Sequence, residues 1–219
     1  MVTPRQLYAE YRVMPSLQLH QLRVAAVGKL VSEAFKEPIR TRDVVLTCLF
    51  HDMGNIIKSE LSYFPEFLKP QGLVYWQGVK DEYVKRYGAD HHAANSAIAR
   101  GMHLPESVCT LIDSLGFSKL EEVLKDPSLE RKVCEYADLR VGPYGVLPLI
   151  ERLLEGRRRY LETNKIRPHY ESEDSFRRLS ESARKLEEQV LSNTSLARND
   201  ISDAAIQNSI EELQNYSVA

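Results

Sequence analysis

The segment from residue 16 to residue 35 constrains the fold of this chain more than any other. It reads SLQLHQLRVAAVGKLVSEAF, and its apolar residues cover most of a helix circumference instead of one stripe. Ser16 is a suitable N-cap, and Pro38 follows the segment closely. A helix that is apolar on nearly all sides is stable in water only when other elements surround it. The sequence therefore predicts a central, largely buried helix against which the rest of the chain packs.

Most of the remaining chain also shows helical patterns. No part of it shows the alternation of apolar and polar residues that is typical of strands. Residues 62–75 combine Pro65, Pro70 and Gly72, which predicts an ordered loop. The fold class is therefore predicted to be all-α. Besides the central helix, the predicted helices span residues 5–12, 42–58, 76–87, 90–102, 105–115, 118–125, 128–140 and 146–163.

The C-terminal part of the chain has a different pattern. Its apolar residues recur at spacings of three and four on otherwise charged helices, which gives each helix a narrow apolar stripe. Such a stripe docks either on the body of the protein or on a second subunit, so a homodimer through these helices stays open. The predicted organisation is a domain of residues 1–165 with an extension of residues 166–219. The stripe residues are Phe176, Leu179, Ala183, Leu186 and Val190, then Ile206, Ile210 and Leu213.

The composition of the 219 residues excludes several classes of protein. A formal net charge of −2 argues against stable nucleic-acid binding. The sequence has no apolar span of about 18 residues and no signal-peptide pattern, so no membrane association is expected. Cys48, Cys109 and Cys134 lie among apolar neighbours without CxxC spacing, which is typical of reduced, buried thiols. These features together predict a cytoplasmic protein.

Two candidate metal ligands end a second apolar segment. Residues 46–58 read LTCLFHDMGNIIK, so His51 and Asp52 follow a run that tends to be buried. Burying an imidazole or a carboxylate without a partner is costly, and a metal ion or a full set of hydrogen bonds offsets that cost. His20 lies in the first turns of the central helix, and Asp138 lies near the end of a later helix. These four residues are the candidate metal ligands.

This order of residues, a histidine, then an adjacent His-Asp pair, then a distant aspartate, resembles the HD-domain superfamily of metal-dependent phosphohydrolases. The residues after the pair, MGNIIK, are similar to the HDIGK form that the family often shows. Ala137-Asp138 resembles the family's terminal AD element. The resemblance covers roughly residues 16–160 and implies an HD-domain-like helical bundle, to which the C-terminal helices form an extension.

The resemblance also implies a ligand set and a class of metal. Two imidazoles and two carboxylates suit Mn²⁺, Fe²⁺, Co²⁺ or Ni²⁺. Two histidines suit Mg²⁺ less well, because Mg²⁺ prefers oxygen ligands. Some members bind a second metal through a histidine that would fall near residue 115, but residues 111–117 read LIDSLGF. One ion is therefore expected instead of two. The implied metal ligands are His20, His51, Asp52 and Asp138.

Other residues are candidates for contacts with the substrate. His92, which stands four residues before a small pair, resembles a further family histidine and is expected to contact substrate or a labile second ion. Asn55 replaces the lysine of HDIGK, and Lys58 is the candidate to take its place. Arg23 and Arg140 lie close in sequence to His20 and Asp138, so both are expected to flank the ion. The predicted catalytic residues are Asp52, His92, Arg23 and Arg140, and the predicted substrate contacts are Arg23, Lys58, His92 and Arg140.

The expected function is hydrolysis of a phosphate ester of a small phosphorylated metabolite, a nucleotide or a similar compound, by a metal-activated water. One alternative is a catalytically silent helical scaffold or signalling module of the same fold. Another is a dinucleoside polyphosphate hydrolase, suggested by the stretch ADLRVGPYG. More remote candidates for phosphate contacts are Arg152, Arg157, Arg158 and Arg159, although the run 157–159 is more typical of a solvated helix face. A third hypothesis is nucleic-acid binding through the basic segment 152–167, which the net charge of −2 argues against. The aromatic residues of 63–76 are more typical of loop packing.

Overall fold

Helices dominate the structure, as the sequence predicts. The computed structural model describes residues 2–163 and 172–218, and within these ranges it contains no strand, only two isolated bridges. The all-α prediction is therefore confirmed. The α-helices are α1 Pro4–Glu10, α2 Pro15–Glu33, α3 Thr41–Phe50, α4 Gly72–Tyr87, α5 His91–Gly101, α6 Glu106–Ser114, α7 Leu120–Lys125, α8 Leu129–Asp138, α9 Leu149–Glu162, α10 Glu173–Ser192 and α11 Asp203–Gln214. Short 3₁₀ helices span Asn55–Lys58, Pro65–Leu68, Phe117–Lys119 and Arg198–Asp200.

The central helix is α2, which packs against α3, α8 and α11. Its contact with α3 is close because Gly28 has no side chain. A Cβ atom at Gly28 would lie 3.0 Å from Cys48 Sγ and 3.1 Å from Val44 Cγ1. The buried residues of α2 lie on several sides of the helix, in agreement with its apolar pattern. This packing brings together the candidate ligands of α2, of the turn after α3, and of α8.

Several helix boundaries differ from the prediction. Pro15 begins α2 at its first position, where the missing N–H of proline costs nothing, and Met14 instead of Ser16 is the N-cap. The predicted helix 42–58 ends at Phe50, and a turn then leads into the 3₁₀ helix Asn55–Lys58. Helix α4 begins at Gly72, inside the stretch that the sequence predicts to be a loop.

The C-terminal helices dock on the body of the same chain. Helix α10 packs against α7 and α8, and α11 packs against α2. The predicted boundary at 165/166 falls outside the described residues. In the described part of the chain, no helix combines the length and hydropathy that crossing a membrane requires. The stripe residues Phe176, Leu179, Ala183, Leu186, Val190, Ile206 and Leu213 are all buried, and Ile210 is partly buried against them.

Candidate metal centre

The structure brings the four predicted ligands together. The Nε2 atom of His20 lies 3.1 Å from Asp138 Oδ1 and 3.8 Å from Asp52 Oδ2. The Nε2 atom of His51 lies 3.5 Å from Asp138 Oδ1 and 3.7 Å from Asp52 Oδ2. Atoms that share one ion at about 2.1 Å each lie about 3 to 4 Å apart, and these four distances between a histidine nitrogen and a carboxylate oxygen are in that range. His20, His51 and Asp52 each offer a ligand atom, all within 4.8 Å of one another.

His51 is the best positioned ligand. Its Nδ1 atom lies 2.9 Å from the carbonyl oxygen of Cys48, one turn earlier in the chain. This contact suits the tautomer that donates from Nδ1, which leaves the lone pair of Nε2 for an ion. His51 is only 6 % exposed, and in the part of the chain that the structure describes its Nε2 atom has no hydrogen-bond partner. A buried nitrogen without a partner is costly, and a metal ion at this point would satisfy it.

The backbone around Asp52 is held from α2. The amide N–H of Asp52 donates to Oε1 of Gln21, 3.2 Å away. Gln21 is fully buried and stands next to His20 in the sequence. One helix therefore supplies a ligand and also positions the loop that carries two others.

The charges of the cluster favour ionised carboxylates. Burial alone would lower the pKa of His51, but the carboxylates of Asp52 and Asp138 outweigh burial and raise this pKa to about 9. Burial alone would raise the pKa of Asp138, but the imidazoles of His20 and His51 beside it hold this pKa well below its usual range. An ion that binds here meets two anionic carboxylates and displaces a proton from His51.

The cluster opens into a cavity of about 350 Å³, within the range of small-molecule sites, about 300–1,000 Å³. Segments that are distant in sequence form its walls, including α9 and the loop that contains the 3₁₀ helix Pro65–Leu68. The cavity is lined by the carboxylates of Asp52, Asp138 and Glu60 and by cationic and aromatic residues. The cationic residues are Lys58, Arg152 and Arg159; the aromatic residues are Phe64, Phe67, Phe117 and Tyr160; and His91 and His92 also line it.

The predicted substrate contacts divide into two groups. Lys58 and His92 line the cavity. Arg23 is not among the lining residues, and its Nε atom lies 3.7 Å from Asp203 Oδ1 on α11. Arg140 is buried and donates to the carbonyl oxygens of Leu147 and Ile201, away from the cavity. The structure therefore does not bring Arg23 or Arg140 to the cluster, although both are close to ligands in sequence.

Two arginines that sequence reasoning treats as remote, Arg152 and Arg159, do line the cavity. Phe64 and Phe67, which the sequence assigns to loop packing, also line it, with ring centroids 4.8 Å apart. A signal for the arginines exists in the sequence. They lie seven residues apart on one helix, and residues at that spacing share a face.

Gly54 allows the loop after the His-Asp pair to approach α5. Its amide N–H donates to Asn95 Oδ1 at 2.5 Å, and a Cβ atom at Gly54 would lie 2.7 Å from the Cβ atom of Ala94.

We expect Gly54→Ala to lower the free energy of unfolding by about 1–3 kcal/mol, because a methyl group has no space there. The matched control is Gly78→Ala on α4, where a Cβ meets nothing within 4 Å. Helix propensity predicts that this control is stabilised by about 0.5–1 kcal/mol. Urea unfolding checks both variants, and equal effects would contradict the packing argument.

Glu135 is a buried carboxyl group one turn before Asp138. It is 2 % exposed, and its Oε2 atom accepts a hydrogen bond of 2.8 Å from the amide of Gly116, a residue that lines the cavity. Burial raises the pKa of Glu135 to about 7. Between about pH 4.5 and this pKa, the folded state binds more protons than the unfolded state, so stability falls as the pH rises.

We expect Glu135→Gln to remove that loss of stability. The glutamine carbonyl still accepts from Gly116 but carries no charge at high pH. Relative to the variant, the wild type should lose up to about 3 kcal/mol of unfolding free energy between pH 5 and pH 8. Urea unfolding of chelator-treated protein at the two pH values measures the difference. Identical pH dependence in the two proteins would show that Glu135 is ionised throughout.

The fold and the site define the class of this chain as an all-α protein with a candidate histidine and carboxylate metal centre at the end of a cavity. Comparisons with models of protein families, with curated proteins and with solved structures gave no match.

Proposed function

We propose that this chain is a metal-dependent phosphohydrolase of the HD type, which cleaves a phosphate ester of a small metabolite, a nucleotide or a similar compound. The observation that supports this proposal is the clustering of His20, His51, Asp52 and Asp138, of which the first three offer ligand atoms within 4.8 Å of one another. His20 lies on α2, His51 and Asp52 are the first two residues after α3, and Asp138 ends α8. In the described ranges, the buried Nε2 atom of His51 makes no hydrogen bond. The donor set of two imidazoles and two carboxylates suits a divalent transition metal.

The surroundings of the cluster support a phosphate ester as substrate. Lys58 and His92 line the same cavity and offer N–H donors to the oxygens of a phosphoryl group. Phe64 and Phe67 provide an apolar surface on which a planar group such as a base can stack. A divalent ion, when bound, polarises a phosphate oxygen and makes a coordinated water more acidic. Asp52 and Asp138 hold the negative charge that keeps such an ion in place, and the Cys48 carbonyl fixes the orientation of His51.

The test is metal analysis of protein purified without chelator, together with phosphate release from a panel of nucleotides and sugar phosphates in Mn²⁺, Co²⁺ and Mg²⁺. We expect the wild type to contain a divalent metal and to release phosphate, and Asp52→Ala to lose both properties. The matched control is Asp81→Ala, which removes an exposed aspartate of α4 that contacts Gln77 and does not line the cavity. This control should behave as the wild type.

A metal-free, inert wild type would overturn the proposal and favour the silent scaffold. Bound metal with turnover that persists in Asp52→Ala would also overturn it, because the activity would then come from elsewhere. Release of phosphate only from dinucleoside polyphosphates would narrow the proposal to that reaction.

A further inference from the structure

Helix α9 presents two arginines to the cavity. Arg152 and Arg159 lie seven residues apart, which is about two turns and about 10 Å along the helix axis, and both line the cavity. Glu155 lies between them. Its Oε2 atom is 3.2 Å from Arg152 Nη1, and its Oε1 atom is 3.3 Å from Arg159 Nε. One carboxylate thus aligns two guanidinium groups, and this part of the wall keeps a net positive charge.

Arg152 is held against the segment that follows Asp138. Its Nε–H donates to the carbonyl oxygen of Val141 at 2.6 Å, and the amide of Val141 donates to the carbonyl oxygen of Asp138. The side chain lies across Gly156, where a Cβ atom would be only 2.8 Å from Arg152 Nη1. A glycine inside a helix costs about 1 kcal/mol relative to alanine. Gly156 offsets this cost by leaving space for the Arg152 guanidinium, which a side chain at position 156 would displace.

Arg159 has a less complete set of partners. In the described ranges, its Nε–H is buried and lies near Glu155 without the geometry of a hydrogen bond. Its guanidinium carbon is 5.7 Å from the centroid of the Tyr160 ring, and Tyr160 also lines the cavity. Contact with an aromatic ring limits the orientations of a guanidinium group without occupying its N–H donors. Those donors form a fork that suits a planar or tetrahedral anion.

We infer that Arg152 and Arg159 form a subsite for a second anionic group of the substrate. This inference rests on the proposed function and narrows its substrate class. The substrate is a phosphate ester that carries, besides the phosphoryl group cleaved at the cluster, a second phosphate or a carboxylate. The cluster holds the reacting group, and the arginines of α9 bind the second anion.

The variant that tests the subsite is Arg159→Gln, because Arg159 makes fewer structural contacts than Arg152. Arg152→Gln is a second variant, and its melting temperature shows whether loss of the contact with Val141 disturbs the fold. The matched control is Arg158→Gln, an exposed neighbour on α9 that does not line the cavity. All variants are compared with the wild type as full-length chains.

The first readout is binding without turnover. Inorganic pyrophosphate is titrated into chelator-treated protein by calorimetry. We expect Arg159→Gln to weaken its binding at least about tenfold, the effect of losing one charge-assisted contact, and Arg158→Gln to leave it unchanged. Equal affinities in wild type and Arg159→Gln would overturn the subsite.

The second readout is the Michaelis constant for matched esters. Adenosine 5′-monophosphate is compared with adenosine 3′,5′-bisphosphate, and phenyl phosphate with 4-carboxyphenyl phosphate. We expect Arg159→Gln to raise KM about tenfold for the member of a pair with the second anion, with a smaller change in kcat and little effect on the other member. The pair that responds identifies the second anion as a phosphate or a carboxylate.

The two proposals fail in different ways. If the wild type hydrolyses no ester, the proposed function fails, while the pyrophosphate titration still decides whether the arginines bind anions. If esters are hydrolysed and Arg159→Gln changes neither pyrophosphate affinity nor KM, the subsite fails and the hydrolase stands.

Discussion

Asp138→Asn is expected to lower metal-dependent phosphate release about 10³-fold and to leave the purified protein without stoichiometric metal. Asp138 Oδ1 lies within 3.5 Å of the Nε2 atoms of both His20 and His51, so this carboxylate links both histidines. Asparagine has nearly the same shape but no negative charge. A loss of phosphate release and of bound metal in this variant would therefore be due to the missing charge at the candidate metal centre and not to altered packing. Metal analysis and phosphate release under one set of conditions provide the measurement.

The same substitution has a second consequence that does not require turnover. Asp138 is one of the two carboxylates that raise the pKa of His51 to about 9. In metal-free protein, Asp138→Asn should therefore lower the pKa of His51, which NMR titration of the imidazole resonances detects. The matched control is Asp113→Asn, which breaks only an exposed ion pair with Arg100 and should change stability by less than about 1 kcal/mol. A variant at Asp138 that retains full metal content and turnover would show that another residue completes the site.

The composition of the site could be predicted because its residues stand in informative local contexts. His20 lies on a helix that is apolar on nearly all sides, and His51 and Asp52 end an apolar run, so each had to be buried with a partner. Asp138 lies near the end of its helix, where α8 stops. Helical periodicity and the cost of burying polar groups are local properties of a sequence. They were sufficient for the fold class, whereas the choice of His20 and Asp138 as ligands also needed the order of residues that resembles the HD-domain superfamily.

Proximity in sequence failed for Arg140 because the backbone changes direction after a helix ends. Helix α8 ends at Asp138, and Arg140 lies in the turn that follows, with its side chain directed to α10 and to the segment before α11. The end of α3 at Phe50 could not be predicted for a related reason. Residues 42–58 keep a helical apolar pattern, and the close contact of Gly54 with α5 is a tertiary feature that no local pattern encodes.

The C-terminal stripes predicted docking but left its partner open. What decides the partner is a buried polar network that joins α8 to α10. Nη1 of Arg140 donates to the hydroxyl oxygen of Tyr136 at 2.6 Å, and the Tyr136 hydroxyl donates to Glu187 Oε1 at 3.1 Å. Arg198 donates to Glu187 Oε2 at 2.7 Å. Tyr136, Arg140 and Glu187 are buried, so separating α8 from α10 would leave these polar groups without their partners.

Arg140→Met is expected to lower the free energy of unfolding by about 3 kcal/mol. Arg140 is 3 % exposed, and its loss removes a donor from the carbonyl oxygens of Leu147 and Ile201 and a charge from beside the buried Glu187. Urea unfolding gives the magnitude. The matched control is Arg178→Met, since Arg178 pairs with Glu121 at the surface and should contribute less than about 1 kcal/mol.

The kinetics of Arg140→Met distinguish a role at the ion from a role in joining α8 to the C-terminal helices. If Arg140 flanks the ion, as its place in the sequence suggests, the variant should lose turnover while keeping most of its stability. If Arg140 joins α8 to the C-terminal helices, as its contacts indicate, the variant should be less stable but keep the kcat and KM of the wild type at temperatures where it is folded. Because α8 also ends in Asp138, a large destabilisation with unchanged kinetics would show that the end of this helix stays in place without the network. Loss of turnover in a fully folded variant would instead show that Arg140 acts at the candidate metal centre.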